Sequence, residues 1–220
     1  MTEAVAKHIK KLHQLEKKGN LEVEHLLKIL KTPNKEYITP LQEMVAQYHW
    51  QPLNDELIVP FASWVDAICI YLEEGTKGLS KALYKTKGFF HIVFGVLEEL
   101  PTEESLPDFL EIAQIFLPHI TNDQQDFVQK YTYSLCSISH QLKGEKVNKD
   151  HHEAFVPILK QIISFAQSKK DEVLMCSAAV CFQAFGDKSD IPYLKALSFT
   201  EAYYKNTGKT IAKRIEKKYA

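Results

Sequence analysis

The 220-residue sequence predicts an all-α fold, an α-solenoid of about four to five stacked helical hairpins forming a single domain over residues 1–220. Three observations predict it. Apolar residues recur at helical spacing, glycines and capping residues punctuate the chain where helices should start and stop, and an aliphatic-proline-apolar signature returns at intervals close to those of helical-hairpin repeats. Few stretches alternate with a two-residue period, and none leads into a hairpin turn.

Along the chain, Asn20, Asn54, Asn122 and Ser189 are expected N-caps, and Gly19, Gly75, Gly144 and Gly186 sit where helices should end. In the segment FASWVDAI, Trp64 is expected to pack in a helix core with Phe61, Ile68 and Leu72, leaving Asp66 to cap or face water. Phe127, Tyr131, Leu135, Ile138 and Leu142 share one helical face, and Phe155, Leu159, Ile162 and Ala166 share another. The proline signature occurs at Pro60, Pro107, Pro157 and Pro192, spaced 47, 50 and 35 residues apart, with Pro40 a looser relative. Proline is tolerated in a first helical turn, where its missing N–H has no intrahelical partner. Each is therefore expected to open the second helix of a pair.

The clearest unit is CSAAVCFQAFGDKSDIPYLKAL. Small Ala178 and Ala179 allow close helix packing, Gly186-Asp187 ends one helix, and Ile191-Pro192-Tyr193-Leu194 opens the next. Over residues 173–199 this resembles a HEAT-like (armadillo-type) helical repeat. The resemblance implies a scaffold whose curved surface holds another macromolecule, with no reaction attached. At the C-terminus, Lys209, Lys213 and Lys217 form one stripe while Ile211, Ile215 and Tyr219 form the opposite one, as a terminal capping helix requires.

Composition is that of a globular protein, 45% hydrophobic and 25% charged. No apolar run approaches the ~18 residues of a membrane span, and the N-terminus lacks a secretory leader, so the expected compartment is the cytoplasm with no membrane partner. Cys69, Cys136, Cys176 and Cys181 show neither metal-ligand spacing nor disulfide density and read as reduced core thiols. Net charge is −1, but residues 1–50, 51–142 and 143–220 carry +2, −8 and +5. So acidic a middle favours a basic protein partner over nucleic acid, and Arg214 is the only arginine available for bidentate phosphate contacts.

Catalytic motifs are missing: no nucleophile elbow and no H-E-x-x-H run is present. TGKT at 207–210 lacks the earlier glycine of a phosphate loop, since Tyr203 stands there. His151 and His152 project about 100° apart on a helix and are expected on a solvated first turn, and His8 and His13 are five apart, a poor chelating step. No cofactor or metal is expected.

One acidic run stands out. Glu98, Glu99, Glu103, Glu104, Asp108 and Glu111 gather around one interhelical loop, either as solvated groups near a helix N-terminus or as a patch that steers a basic protein. Tyr48, Trp50, Tyr203 and Tyr204 are candidate aromatic anchors. Together these suggest a non-catalytic protein-binding module, such as an inhibitor or immunity protein that neutralises a basic partner. An adaptor or scaffold subunit of a larger assembly fits equally. A third reading comes from resemblance to HEAT-like DNA glycosylases acting on alkylated bases, for which Trp64 and Asp66 supply the residue types that stack on and stabilise a cationic base.

Overall fold

A computed structural model describes residues 1–47, 61–83, 89–117, 120, 124–142 and 147–220. Among them are twelve α-helices and no strand, so the chain is all-α. No described helix is long and apolar enough to cross a membrane. The chain divides into two compact units, Met1–Asp108 and Phe109–Ala220. Asn54, Pro60, Asn122 and Gly144, like Tyr48 and Trp50, lie outside the described residues.

The first unit holds α1 (Glu3–Lys17), α2 (Val23–Leu27), α3 (Ile38–Gln47), α4 (Phe61–Glu74), α5 (Thr76–Ala82), α6 (Phe89–Glu99) and the start of α7 (Thr102–Phe116). α1 buries Val5, Ile9 and Leu12, a stripe at steps of four and three. α4 is the hub, packed by α2, α3, α5 and α6, with Val65, Ala67 and Ile68 closed from solvent. Trp64 is half-buried and lies over Gly95 of α6, where a Cβ would stand 2.4 Å from the indole ring. That glycine is what lets α4 and α6 approach. Gly75 ends α4 in a left-handed turn at φ 70°, which glycine adopts without strain, as its position in the sequence predicts.

The second unit holds the rest of α7, α8 (Gln125–Leu142), α9 (Lys149–Lys169), α10 (Glu172–Phe185), α11 (Ile191–Ala196) and α12 (Thr207–Lys218). α10 packs against α8, α9 and α12. Its buried set, Leu174, Met175, Ala178, Ala179 and Cys181–Phe185, goes round the helix, as expected of a helix with little outside face. The α8 face read from the sequence is buried through Tyr131, Leu135 and Ile138, and the α9 face through Phe155, Leu159, Ile162 and Ala166. Phe155 stacks on Phe185 of α10 at 4.4 Å between centroids. Tyr131, fully buried, donates its hydroxyl to the Phe109 carbonyl at 3.1 Å, which removes the cost of an unpaired phenol.

The proline expectation holds only in part. Pro40 and Pro192 stand in first turns, at the third residue of α3 and the second of α11, but Pro107 is the sixth residue of α7 and Pro157 the ninth of α9, both inside helices. The true start of α9 is set by Asn148, whose side chain accepts from the Asp150 amide at 2.9 Å, and proline merely lacks one helical donor further along. α11 packs chiefly along α12, and α10 packs equally against α8 and α9, joined to α9 by the tight Lys170–Asp171 connection. Ser189 does not cap a helix; Asp187 caps the 3-10 turn Lys188–Asp190, and Asp190 precedes α11.

The TGKT segment has a packing role. A Cβ on Gly208 would stand 2.1 Å from the Leu194 carbonyl oxygen, so glycine is what seats the first turn of α12 against α11. Gly208→Ala is expected to destabilise the protein by about 2–3 kcal/mol, the range of overpacking against a backbone that cannot yield, whereas Lys209→Ala next to it should stay within ~0.5 kcal/mol. Urea unfolding followed by circular dichroism checks this; equal midpoints for the two variants would remove the glycine from any packing role.

Candidate functional site

The acidic run divides on folding. Glu99, Glu103 and Glu104 are exposed around the α6–α7 turn, and Glu98 is half-buried. Asp108 leaves the patch: it is 4% exposed, and the Ser80 hydroxyl of α5 donates to it at 3.0 Å. Its place on the inner face of α7 follows from the helical step, since Ser105, Asp108 and Ile112 are all buried along one side. Glu111 is exposed beyond the unit boundary, on the second unit's part of α7.

The structure adds two acidic partners that sequence spacing could not supply. Tyr71 of α4 donates its hydroxyl to Glu104 at 2.8 Å, tying the acidic turn to the C-terminal end of α4, where Glu73 and Glu74 follow. Burial, then the Glu104 bond and charge, push the Tyr71 phenol well above its ordinary range, so it remains a donor. Beside this bond lies an open cleft of about 360 Å³ lined by Pro33, Lys35, Tyr71, Glu73, Gly75 and Glu104. It is a shallow, predominantly acidic depression suited to a protruding side chain.

A second polar cluster occurs within the second unit, at a histidine read from the sequence as solvated. His152 is instead half-buried: its Nε2 is 2.9 Å from Asp190 Oδ2 and 3.5 Å from Asp187 Oδ1. Asp190 is 1% exposed and takes Lys160 Nζ on its other oxygen at 2.8 Å, while the Asp187 amide donates to it at 3.2 Å. Lys160 also lies 5.2 Å from the Tyr193 ring centroid. The signal that could have shown this is GDKSD itself, because a carboxylate three residues after another at a helix start forms a reciprocal capping box and turns inward.

His152, Asp187 and Asp190 are the described residues that could together hold a metal ion. The Lys160 ammonium already compensates Asp190, and Asp187 accepts from the Ser189 amide at 2.7 Å and hydroxyl at 2.6 Å. The cluster is thus a satisfied strut joining α9 to the turn before α11.

All four cysteines are free, with Cys69 and Cys181 buried. Burial, with the charges of Asp66 and Glu73, pushes the Cys69 thiol up to about 12. Cys136 behaves oppositely. Interaction with the neighbouring Cys181 side chain, assisted by Ser139, outweighs burial and holds it below the ordinary thiol range, while burial pushes Cys181 up. Tyr203 is 89% exposed and meets Tyr204 edge-on at 5.0 Å, so the structure presents this candidate anchor to solvent. Asp66 is exposed, and the half-buried Trp64 indole lies over Gly95.

These features define an all-α protein with charged and aromatic surfaces and internal polar struts. Comparison of the chain with family models, curated proteins and solved structures returns no match.

Two outcomes follow from the clusters. Asp190→Ala strands two basic groups and should cost about 2–3 kcal/mol, against about 1 kcal/mol for His152→Ala, read as urea midpoints. Burial raises the Asp187 carboxyl, but the Ser189 bonds and the charges of His152 and Lys160 more than offset this and leave it depressed. A depressed acid stabilises the fold above its unfolded value, near 3.8, and loses that contribution as pH falls through the folded value. Asp187→Asn should therefore be less stable than wild type at pH 6, with the gap closing below pH ~4. Separately, a thiol-exchange reagent at pH 8 should label Cys136 first and Cys69 only on unfolding; prior labelling of Cys69 would contradict its burial.

Proposed function

We propose that this protein is a non-catalytic binding module of stacked helical hairpins, the α-solenoid expected from the sequence, that captures a basic protein partner on the acidic face of residues 1–108. The observation that carries this reading is the Tyr71–Glu104 bond. It draws Glu104 to Glu73 at one cleft and leaves Glu99 and Glu103 exposed on the adjoining turn. Carboxylates beside an aromatic wall suit the ammonium or guanidinium of a protruding Lys or Arg. A field of one sign over such a face raises the encounter rate with an oppositely charged protein.

Hairpin stacking is supported by the pairing of α9 with α10 and of α11 with α12, and by the placing of Pro107, Pro157 and Pro192 on the alternate helices α7, α9 and α11. Four free thiols suit a reducing compartment such as the cytoplasm. An inhibitor of the immunity-protein kind, which covers the working surface of a basic toxin, makes use of this chemistry without a reaction of its own.

The test is affinity capture followed by kinetics. Tagged wild type should retain one basic protein, and Glu99→Lys/Glu103→Lys should lose it while folding normally. Association with the identified partner should slow at least tenfold between low salt and 0.5 M salt, since steering by exposed charge is screened. Retention of the same partner by the double variant, or an association rate indifferent to salt, would remove the acidic face from the interface.

A further inference from the structure

The second unit carries a surface of opposite character. Along α12, Ile211, Ala212 and Ile215 are buried, and Lys209, Lys213 and Lys217 face water at steps of four residues, about 6 Å apart along the axis. Lys205 precedes them and is exposed as well. Two other cations of this segment have protein acceptors. Arg214 donates to Gln183 at 2.7 Å, and Lys218 donates to the Gln183 and Ala184 carbonyls at 3.1 and 3.4 Å. Glu216 is occupied by Lys195 at 2.8 Å. Among the described residues none pairs with Lys205, Lys209, Lys213 or Lys217, so the stripe is uncompensated positive charge.

Apolar groups stand at its head. Besides Tyr203, Val173 is 46% and Tyr133 39% exposed, and the Phe199 ring lies 6.4 Å from that of Tyr204. Local contacts draw their segments together. Glu172, next to Val173, accepts from the Thr200 and Glu201 amides and so pins the start of α10 to the loop that carries Tyr203. Tyr133 is near enough to Tyr204 and Asp171 to be influenced by both. Exposed tyrosine beside a valine, with charge along one edge, is the composition of a binding hot spot and its rim.

We infer that this surface docks an acidic polypeptide segment, its carboxylates along the α12 lysines and an apolar side chain seated on Tyr203 and Val173. Charge complementarity selects an acidic occupant, and two features select polypeptide over nucleic acid. Arg214, the one arginine, already spends a guanidinium nitrogen on Gln183 and the stripe itself is lysine, which lacks the planar fork for bidentate phosphate contacts, and the Glu172 and Glu201 carboxylates lie beside the aromatic patch, where a continuous phosphate backbone would meet repulsion. All the residues of this surface lie in the second unit. A chain with both this surface and the acidic one engages partners of opposite charge, as an adaptor does.

Fluorescence anisotropy with a labelled glutamate-rich peptide carrying one Leu-Trp pair tests this on the full-length protein. Wild type should bind it. Lys209→Glu/Lys213→Glu/Lys217→Glu should weaken binding at least tenfold, and Tyr203→Ala about tenfold, with circular dichroism unchanged because all four side chains are exposed. The same charge reversal on α1, Lys10→Glu/Lys11→Glu/Lys17→Glu, should leave binding within twofold, and Glu99→Lys/Glu103→Lys should leave it no weaker. An equal loss in the α1 variant would reduce the effect to net charge and overturn the site. So would no effect of Tyr203→Ala, tighter binding of a single-stranded oligonucleotide than of the peptide, or no peptide binding by wild type.

Discussion

Residues 109–220 are organised around the burial of α10. Its apolar side chains point to every side, so it is stable only when α8, α9 and α12 all cover it. Alanines at 178 and 179 keep those neighbours near, and Gly186 and Gly208 remove the Cβ atoms that would hold α12 away. Each large residue then has a defined place, Phe155 against Phe185 and Tyr131 against Phe109. In residues 1–108, α4 has the comparable position, and Gly95 admits Trp64 there as Gly208 admits α12 to α11.

Close packing leaves little tolerance for unpaired polar groups, and the chain answers with struts. Asp190 is placed out of reach of solvent but receives a histidine, a lysine and a backbone amide, so its charge is balanced where it lies. Asp108 is satisfied by Ser80, and Asp171 serves twice, capping α10 through the Leu174 amide and accepting from Gln129. Such groups fix how one helix meets the next, because each bond has one acceptable geometry, whereas apolar contacts allow sliding. A carboxylate consumed in this way is withdrawn from the surface field.

What remains outside is therefore a filtered version of the sequence charge. In the acidic middle third, Asp108 is internal while Glu99, Glu103 and Glu104 keep facing water. In the basic final third, Lys160, Arg214 and Lys218 are committed to internal acceptors while the α12 stripe is not. Among the described residues, exposed acidic groups therefore stand near Tyr71 in the first unit, and exposed lysines follow Tyr203 along α12 in the second. Aromatic groups beside net charge combine steering at long range with area at contact.

The sequence by itself determined the all-helical class, the buried stripes of α8, α9 and α12, and the stop at Gly75, because periodicity and turn conformation are settled by residues within four or five positions of one another. It also carried the exposed part of the acidic turn and the free lysines of α12. Tertiary structure alone decided that α10 is covered by α8, α9 and α12, that Ser80 meets Asp108, and that His152 meets Asp190 thirty-eight residues away. Those outcomes depend on distances between helix axes and on which Cβ atoms stand in the gap, and composition and spacing along one chain contain neither quantity.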